Sequence, residues 1–260
     1  MANLKITHIG TATLLLEIGS LRLLTDPVFD PPGGHYSFGS GTSSTKLTGP
    51  SVALESLGHI DAVLLSHDQH EDNLDRSGRA FLPKVGRVLT TPVGGRRLGG
   101  NAEGLKPWQS TLLEAGDTQI KLTATPAQHG PPLIASLSGD ATGFLLEWDA
   151  QQNGALYISG DTIYYHGIDE VAERFRVSLA ILHLGRAGFP ITGPIRFTMD
   201  VRDGVRASQV LKPRVIIPIH YEGWAHFRDG RAAIQTGFAQ AGLNDRLTWL
   251  DLGKATQLEI

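Results

Sequence analysis

The hydrophobic residues of this chain recur as short runs rich in branched side chains, separated by polar and glycine-rich segments. Runs of this length and composition are typical of buried β-strands. Strands are predicted at LKITHI, TLLLEI, LRLLTD, DAVLLS, TQIKLTA, GFLLEW, ALYISG, SLAILHL and RVIIPI. Helices are predicted in residues 76–85, 167–176, 199–212 and 231–240. Because predicted strands recur along the whole chain with helices between them, we expect an α/β protein built in layers.

Glycine and proline cluster in two segments without periodicity, residues 30–41 (DPPGGHYSFGSG) and 129–140 (HGPPLIASLSGD). Both segments lie between strand-like runs and are predicted as loops. His35 and Tyr36 in the first loop could belong to a lid over a substrate or to a solvated loop tip. Because we find no repeat, low-complexity tract or domain boundary, we expect one domain over residues 1–260.

Composition limits the class of protein. The 260 residues are 41% hydrophobic and 19% charged, with a net charge of −3. The absence of cysteine removes thiolates from any metal site, while a chain of this length buries a sufficient core without disulfides. The near-neutral charge argues against nucleic-acid binding, and no segment has the ~20 apolar residues that span a bilayer. We expect a cytoplasmic, unanchored protein, whose oligomeric state a single sequence of this composition does not reveal.

Five strand-like runs end at, or just before, an aspartate or a histidine. These residues are Asp26, His67, His129, Asp161 and His220. In layered α/β folds such strand ends converge on one crevice, so five placements of this kind indicate a site even though a single histidine would not. Imidazole and carboxylate together suit zinc, manganese or iron, and a mixed cluster can hold two cations.

The densest cluster of ligand-type residues is SHDQHEDNLD, directly after the strand DAVLLS. This segment also suits a helix N-terminus at which Asp72 or Asp75 caps free N–H groups. Capping does not explain why His67 and His70 accompany the acids, nor why further ligand-type residues lie at distant strand ends. The segment therefore predicts both a helix cap and part of a metal site.

The motifs LLTDP, SHDQHEDNLD, PAQH, SGDT and PIHY resemble, in this order, those of metal-dependent hydrolases of the metallo-β-lactamase fold. Within that family they resemble the branch of L-ascorbate-6-phosphate lactonase. The resemblance implies an αββα sandwich, in which two mixed sheets pack face to face with helices outside. It also implies roles for the site residues: His67, His70 and His129 hold one metal, Asp72 and His220 belong to a second, Asp161 bridges both, and Asp26 orients a ligand.

The sequence departs from the family's usual His-x-His-x-Asp-His cluster. His70 comes one residue late, and an inserted residue would place it at the second histidine position and Asn73 at the last. An amide oxygen is a weaker ligand than imidazole. Three outcomes follow: two metals with Asn73 coordinating or standing aside, one tightly held metal, or a harder metal such as manganese in the second site. We favour two divalent ions (zinc, manganese or iron), the second weakly held; Gln69 is an alternative ligand to His70.

A site of this kind predicts a hydrolase in which a metal-bound hydroxide attacks an ester, lactone or phosphoester bond. Asp72 would coordinate and orient the hydroxide, by resemblance to the family. No Gly-x-Ser-x-Gly motif competes with this interpretation. Candidates for protonating the leaving group, each of which could equally be a packing residue, are Tyr164, Tyr165, His166 and Tyr221.

Other residues near the motifs are weaker candidates for the site. Trp224 and His226 are candidates for lining the pocket. His183 ends the run LAILH but matches no ligand motif, and it is interpreted either as an interior residue or as one that supports a ligand. We expect a small-molecule substrate, and if it is anionic the arginines 186, 196 and 202 could attract it. Two alternatives remain open: a mononuclear iron oxygenase, and a non-catalytic metal-binding module of the same fold.

Overall fold

The structure, a computed structural model, describes residues 3–39, 41–132, 139–149 and 151–260. Residues 133–138 of the second predicted loop and Ser40 of the first lie outside the described residues. The strands are β1 (Asn3–Gly10), β2 (Thr13–Ile18), β3 (Leu21–Thr25), β4 (His35–Gly39), β5 (Thr42–Thr45), β6 (Ala62–Leu64), β7 (Arg87–Thr90), β8 (Ala102–Gly104), β9 (Ser110–Ala115), β10 (Thr118–Pro126), β11 (Thr142–Glu147), β12 (Ala155–Ile158), β13 (Val177–His183), β14 (Val215–Ile219) and β15 (Ala255–Glu259). The α-helices are α1 (Arg76–Phe81), α2 (Pro92–Leu98), α3 (His166–Arg174), α4 (Val201–Leu211) and α5 (Arg231–Gln240).

Two large mixed sheets carry the fold. One has the strand order β15-β1-β2-β3-β6-β7-β8 and the other the order β14-β13-β12-β11-β10-β9, while β4 and β5 form a separate hairpin. Strands β3, β6, β7 and β8 are parallel, as are β12, β13 and β14. The carboxyl ends of parallel strands lie on one edge of a sheet, so the residues that follow them can share a site.

The main core lies between the two sheets, where leucine and isoleucine side chains such as Leu16, Leu64, Leu146 and Ile217 are fully buried. Helices α3, α4 and α5 pack on the outer face of the six-stranded sheet. On the outer face of the other sheet, Leu82, directly after α1, belongs to a third cluster. This arrangement confirms the predicted αββα sandwich with two face-to-face mixed sheets.

Several elements differ from the prediction made from the sequence. The segment predicted as a loop over residues 30–41 contains strand β4, so that prediction was wrong in part, because β4 pairs with β5 despite its polar, glycine-rich sequence. Helix α2 and the strands β5, β7, β8, β9 and β15 were not predicted. Within the described residues, no helix combines the length and the apolar character that crossing a membrane requires.

Candidate metal centre

The ligand-type residues follow strands from both sheets. Asp26 comes directly after β3, and His220 comes directly after β14. His67 and Asp161 each follow a strand, β6 and β12 respectively, after two further residues. His129 follows the long strand β10, and His183 is the last residue of β13. The contacts between these side chains, described below, bring them together at one edge of the sandwich.

Two special backbone conformations help to direct these residues. Gly160 has a φ of 59°, and a Cβ at this position would collide with the carbonyl oxygen of Thr142, so glycine is required just before Asp161. His220 itself has a φ of 58°, and its backbone N–H donates to the carbonyl oxygen of Thr11 at 2.9 Å. Such conformations persist where the surrounding structure holds them, and they cluster at functional sites.

Three imidazole rings form the first ligand group. His70 Nδ1 lies 3.1 Å from His67 Nε2 and 2.9 Å from His129 Nε2. The remaining nitrogens of two rings are held from behind: His129 Nδ1 lies 2.8 Å from the carbonyl oxygen of Phe197, and His67 Nδ1 lies 3.0 Å from Ser66 Oγ. Because a carbonyl oxygen only accepts, His129 must carry a proton on Nδ1, which in a neutral ring leaves a lone pair on Nε2.

Burial keeps two rings of the first group, those of His67 and His70, in the state that a metal needs. It lowers the pKa of His67 well below its ordinary value, and the charge of His129 adds to the effect. Burial also lowers the pKa of His70 to about 4, again with a contribution from His129. Neutral imidazoles offer lone pairs, and metal binding requires such deprotonated ligands.

Asp161, His183 and His220 form the second ligand group, with ligand atoms within 4.8 Å of one another. His183 Nδ1 lies 2.7 Å from Asp161 Oδ1, and His220 Nδ1 lies 3.5 Å from the same oxygen. Asp72 adjoins this group, because its Oδ2 lies 3.3 Å from His220 Nε2 and 3.0 Å from His226 Nε2. His226 is fixed in turn by Ser44 Oγ, 2.7 Å from its Nδ1.

The two buried carboxylates are ionised. Burial alone would raise the pKa of Asp72, but the contacts with His220 and His226 outweigh it and hold this pKa well below its ordinary range. Burial likewise opposes ionisation of Asp161, and the positive charge of His220 together with the hydrogen bond from His183 lowers its pKa below the usual value. The centre therefore combines neutral nitrogens with anionic oxygens, a donor set that suits divalent cations.

Several polar atoms of the centre are buried without a hydrogen-bond partner in the part of the chain that the structure describes. They are Asp72 Oδ1, Asn73 Oδ1, His183 Nε2 and both ring nitrogens of His220. Such atoms are rare in folded proteins because an unpaired buried polar group is costly. Bound cations would satisfy the acceptors among them, which include one ring nitrogen of a neutral His220, and three converging imidazole nitrogens have the same need, so the residues present fit metal ions.

The structure places the remaining predicted ligands as follows. Gln69 uses its side-chain oxygen to accept from the backbone N–H of Asp68, whereas His70 contacts both other histidines of the first group. Asn73 donates from Nδ2 to Ser66 Oγ at 3.1 Å. Asp26 accepts from the backbone N–H of Ser66 at 2.7 Å, and burial raises its pKa to about 8. Asn73 and Asp26 thus both hold Ser66, which contacts His67.

The predicted proton donors contact helices α3 and α4. The Tyr164 hydroxyl donates to Asp169, and Arg206 lies over its ring; burial and this hydrogen bond raise the pKa of Tyr164 to about 12. His166 is exposed and lies 3.7 Å from Glu170. Tyr165 is half-buried and packs against the ring of His166. The catalytic roles of Tyr164, Tyr165 and His166 stay predictions.

Two histidines that matched no family motif belong to the centre. His183 is part of the second group, although it was interpreted as an interior or supporting residue, and His226 holds Asp72. His183 ends a buried strand in the same way as the recognised ligands, so the pattern of strand ends contained the signal. His226 follows a loop rather than a strand, and only its spacing from His220 places it nearby.

Comparison with known proteins identifies the family. Residues 21–221 match the family described as "Beta-lactamase superfamily domain". The chain belongs to the β-lactamase superfamily. The fold and the family are those of metal-dependent hydrolases of this superfamily. The lactonase branch expected from the motifs stays a prediction.

Similar proteins cover nearly the whole chain. A "UPF0173 metal-dependent hydrolase" from Deinococcus radiodurans is 27% identical over 98% of this chain and 100% of its own length. An isothiocyanate hydrolase from Delia radicum gut bacteria shares the fold, with a TM-score of 0.83, 23% identity, and coverage of 98% of this chain and 100% of its own. A possible metal-dependent hydrolase from Veillonella parvula has a TM-score of 0.82 and 20% identity over 98% of this chain and 99% of its own.

Proposed function

We propose that the protein is a metal-dependent hydrolase that holds two divalent cations and cleaves an ester, lactone or phosphoester bond. The main observation behind the proposal is the convergence of three imidazoles, two of which burial keeps neutral, beside a second, partly anionic group. The superfamily and the description of its relatives as metal-dependent hydrolases support the reaction type.

The two groups differ in their ligand chemistry. His67, His70 and His129 offer only nitrogen, which suits zinc. Asp161, His183 and His220 offer a carboxylate as well, which also suits manganese or iron. Cations bound here would lower the pKa of a coordinated water towards neutrality and polarise the bond to be cleaved.

The side chains around the cations divide the remaining tasks. Asp72 stays ionised and presents Oδ1, which has no partner among the described residues, so we assign it the orientation of the attacking water. His226, held by Ser44, fixes the other oxygen of this carboxylate. Asn73 would support His67 through Ser66, and its side-chain oxygen, likewise without a partner in the described part of the chain, could complete a weaker second site. Tyr164, Tyr165 and His166 remain our candidates for protonating the leaving group.

Metal content and turnover test the proposal together. The untagged protein should contain about two divalent metals per chain and hydrolyse members of a panel of carboxylic esters, lactones and phosphodiesters. His70→Ala should lose at least one metal and most of the activity, whereas His59→Ala, a change at an exposed histidine that pairs with Asp61, should change neither.

The same experiment can contradict the proposal. Metal-loaded protein that cleaves no member of the panel would exclude hydrolysis of these bonds. A single iron with consumption of oxygen would support the oxygenase alternative, and a chain that binds no metal would contradict the metal centre altogether.

A further inference from the structure

Three phenylalanine rings, Phe38, Phe189 and Phe197, lie in a continuous row that we call the aromatic wall. The centroid of Phe189 is 5.4 Å from that of Phe38 and 5.8 Å from that of Phe197. Phe38 comes from the β4–β5 hairpin, whereas the other two rings come from the segment between β13 and α4. Separate parts of the chain thus form one aromatic row, in which Phe189 is buried and Phe38 and Phe197 are partly exposed.

Each ring of the aromatic wall contacts a histidine of the metal centre, and Phe38 and Phe189 share a contact with His226. The centroid of Phe38 is 5.6 Å from that of His70, and the centroid of Phe197 is 5.9 Å from that of His129. Phe189 stacks on His226 with centroids 5.2 Å apart. A substrate bound at the centre would therefore have the aromatic wall beside it.

The local backbone directs Phe38. Ser37 pairs with Ser43 and Gly39 pairs with Thr42, which leaves Phe38 as the unpaired residue of a β-bulge. Bulges next to active sites commonly redirect one side chain. Gly39 has a φ of 80°, a conformation that glycine adopts without strain.

The hairpin is also fixed to the metal centre by polar contacts beneath it. Ser44 on β5 contacts His226, and Lys46, directly after β5, pairs with Asp75 at 2.9 Å while both side chains are buried. Ser44 therefore connects the hairpin that carries Phe38 to His226 of the metal centre.

The contacts of the nearby arginines give no preference for an anionic substrate. The arginines of the neighbouring segments are engaged, in part with carboxylates: Arg186 lies 3.8 Å from Asp229, Arg196 lies 3.1 Å from Asp203, and Arg228 donates to the carbonyl oxygen of Gly188.

We propose that the aromatic wall binds the aromatic or alkyl group of an uncharged substrate and so places its scissile bond against the metal centre. This inference rests on the proposed hydrolase function and narrows it, because it favours neutral esters and lactones over phosphoesters. Aromatic groups pack well against phenylalanine rings, and differences in apolar size of a few carbon atoms change kcat/KM by about tenfold or more.

Kinetics on the zinc-loaded protein test the proposal with phenyl acetate, methyl acetate and 4-nitrophenyl phosphate. The parent should prefer phenyl acetate over methyl acetate by about tenfold or more after correction for the intrinsic reactivities, and should act poorly on the phosphate. Phe38→Ala should lose most of the preference between the two acetates while its metal content stays unchanged. Phe81→Ala, at a half-buried phenylalanine of α1, is the matched control and should keep the preference.

The outcomes separate the two proposals. If the parent hydrolyses both acetates without preference, and Phe38→Ala changes neither rate, the aromatic wall is overturned while the hydrolase function stands; a preference for 4-nitrophenyl phosphate would overturn it as well. If no substrate is turned over, saturation-transfer NMR with 2-phenylethanol tests whether the wall binds an aromatic group. Binding that Phe38→Ala removes would support the wall although the function failed, and absence of binding would overturn both.

Discussion

Asp26 and His220 show how single residues are held in place before any metal binds. Both are non-glycine residues in the left-handed region, with φ values of 32° and 58°, and each such residue costs about 1–3 kcal/mol. Their backbone N–H groups donate to Leu64 and Thr11, respectively. Contacts within the folded chain thus offset this cost and hold a backbone orientation that the metal centre uses.

His8 allows the effect of a buried histidine on stability to be measured. It is buried next to Thr11, and burial lowers its pKa to about 4 from an ordinary value of 6.5. Between these two values the unfolded chain binds the proton and the folded chain does not, so stability falls as the pH falls through this window. From pH 7 to pH 5 we expect His8 to account for a loss of about 2 kcal/mol.

Urea denaturation at both pH values, with a chelator present, measures this effect in the parent and in His8→Gln. The pH-dependent loss should be smaller in His8→Gln by about 2 kcal/mol, and unchanged in His59→Gln at an exposed position. Equal losses in the parent and His8→Gln would show that His8 is not held neutral.

The β4–β5 hairpin depends as an element on a polar cluster buried beneath it. Asp75 receives Lys46 Nζ and the backbone N–H of Asp30 on one oxygen, and caps helix α1 through Gly78 with the other. Tyr36 on β4 donates to Asp30 at 2.8 Å. One carboxylate therefore connects the hairpin, the loop after β3 and the helix that follows the metal-binding segment.

Removing the cation of this cluster, the Lys46 ammonium, should lower the free energy of unfolding. Lys46→Met leaves the Asp75 carboxylate buried without its partner, and loss of one member of a buried pair costs about 3–5 kcal/mol. Lys254→Met breaks an exposed pair with Asp251 and should cost less than about 1 kcal/mol. The free energy of unfolding from urea titrations compares them, and similar small losses would mean that Asp75 is stabilised without Lys46.

Across the whole molecule, the parts predicted from the sequence are those that local pattern specifies. Buried parallel strands such as β6, β13 and β14 are continuous apolar runs. Because β13 and β14 are parallel neighbours, His183 and His220 at their carboxyl ends lie close together. The β4–β5 hairpin has no such pattern in its sequence. Contacts of Lys46 and Ser44 with residues outside the hairpin hold it in place. Helix α2 escaped prediction since it contains two glycines, and Gly95 is needed where β8 passes close by.

Metal removal tests the link between the centre and the stability of the whole fold. The ligands come from both sheets, so cations that bind only the folded chain hold the two layers together. A ligand present at a thousand times its Kd stabilises by about 4 kcal/mol. For a chain of this size that corresponds to a fall in Tm of roughly 10 °C when a chelator strips the metals. His70→Ala should start from a lower Tm and respond less, whereas an unchanged Tm in the stripped parent would show that the folded state gains nothing from the metals.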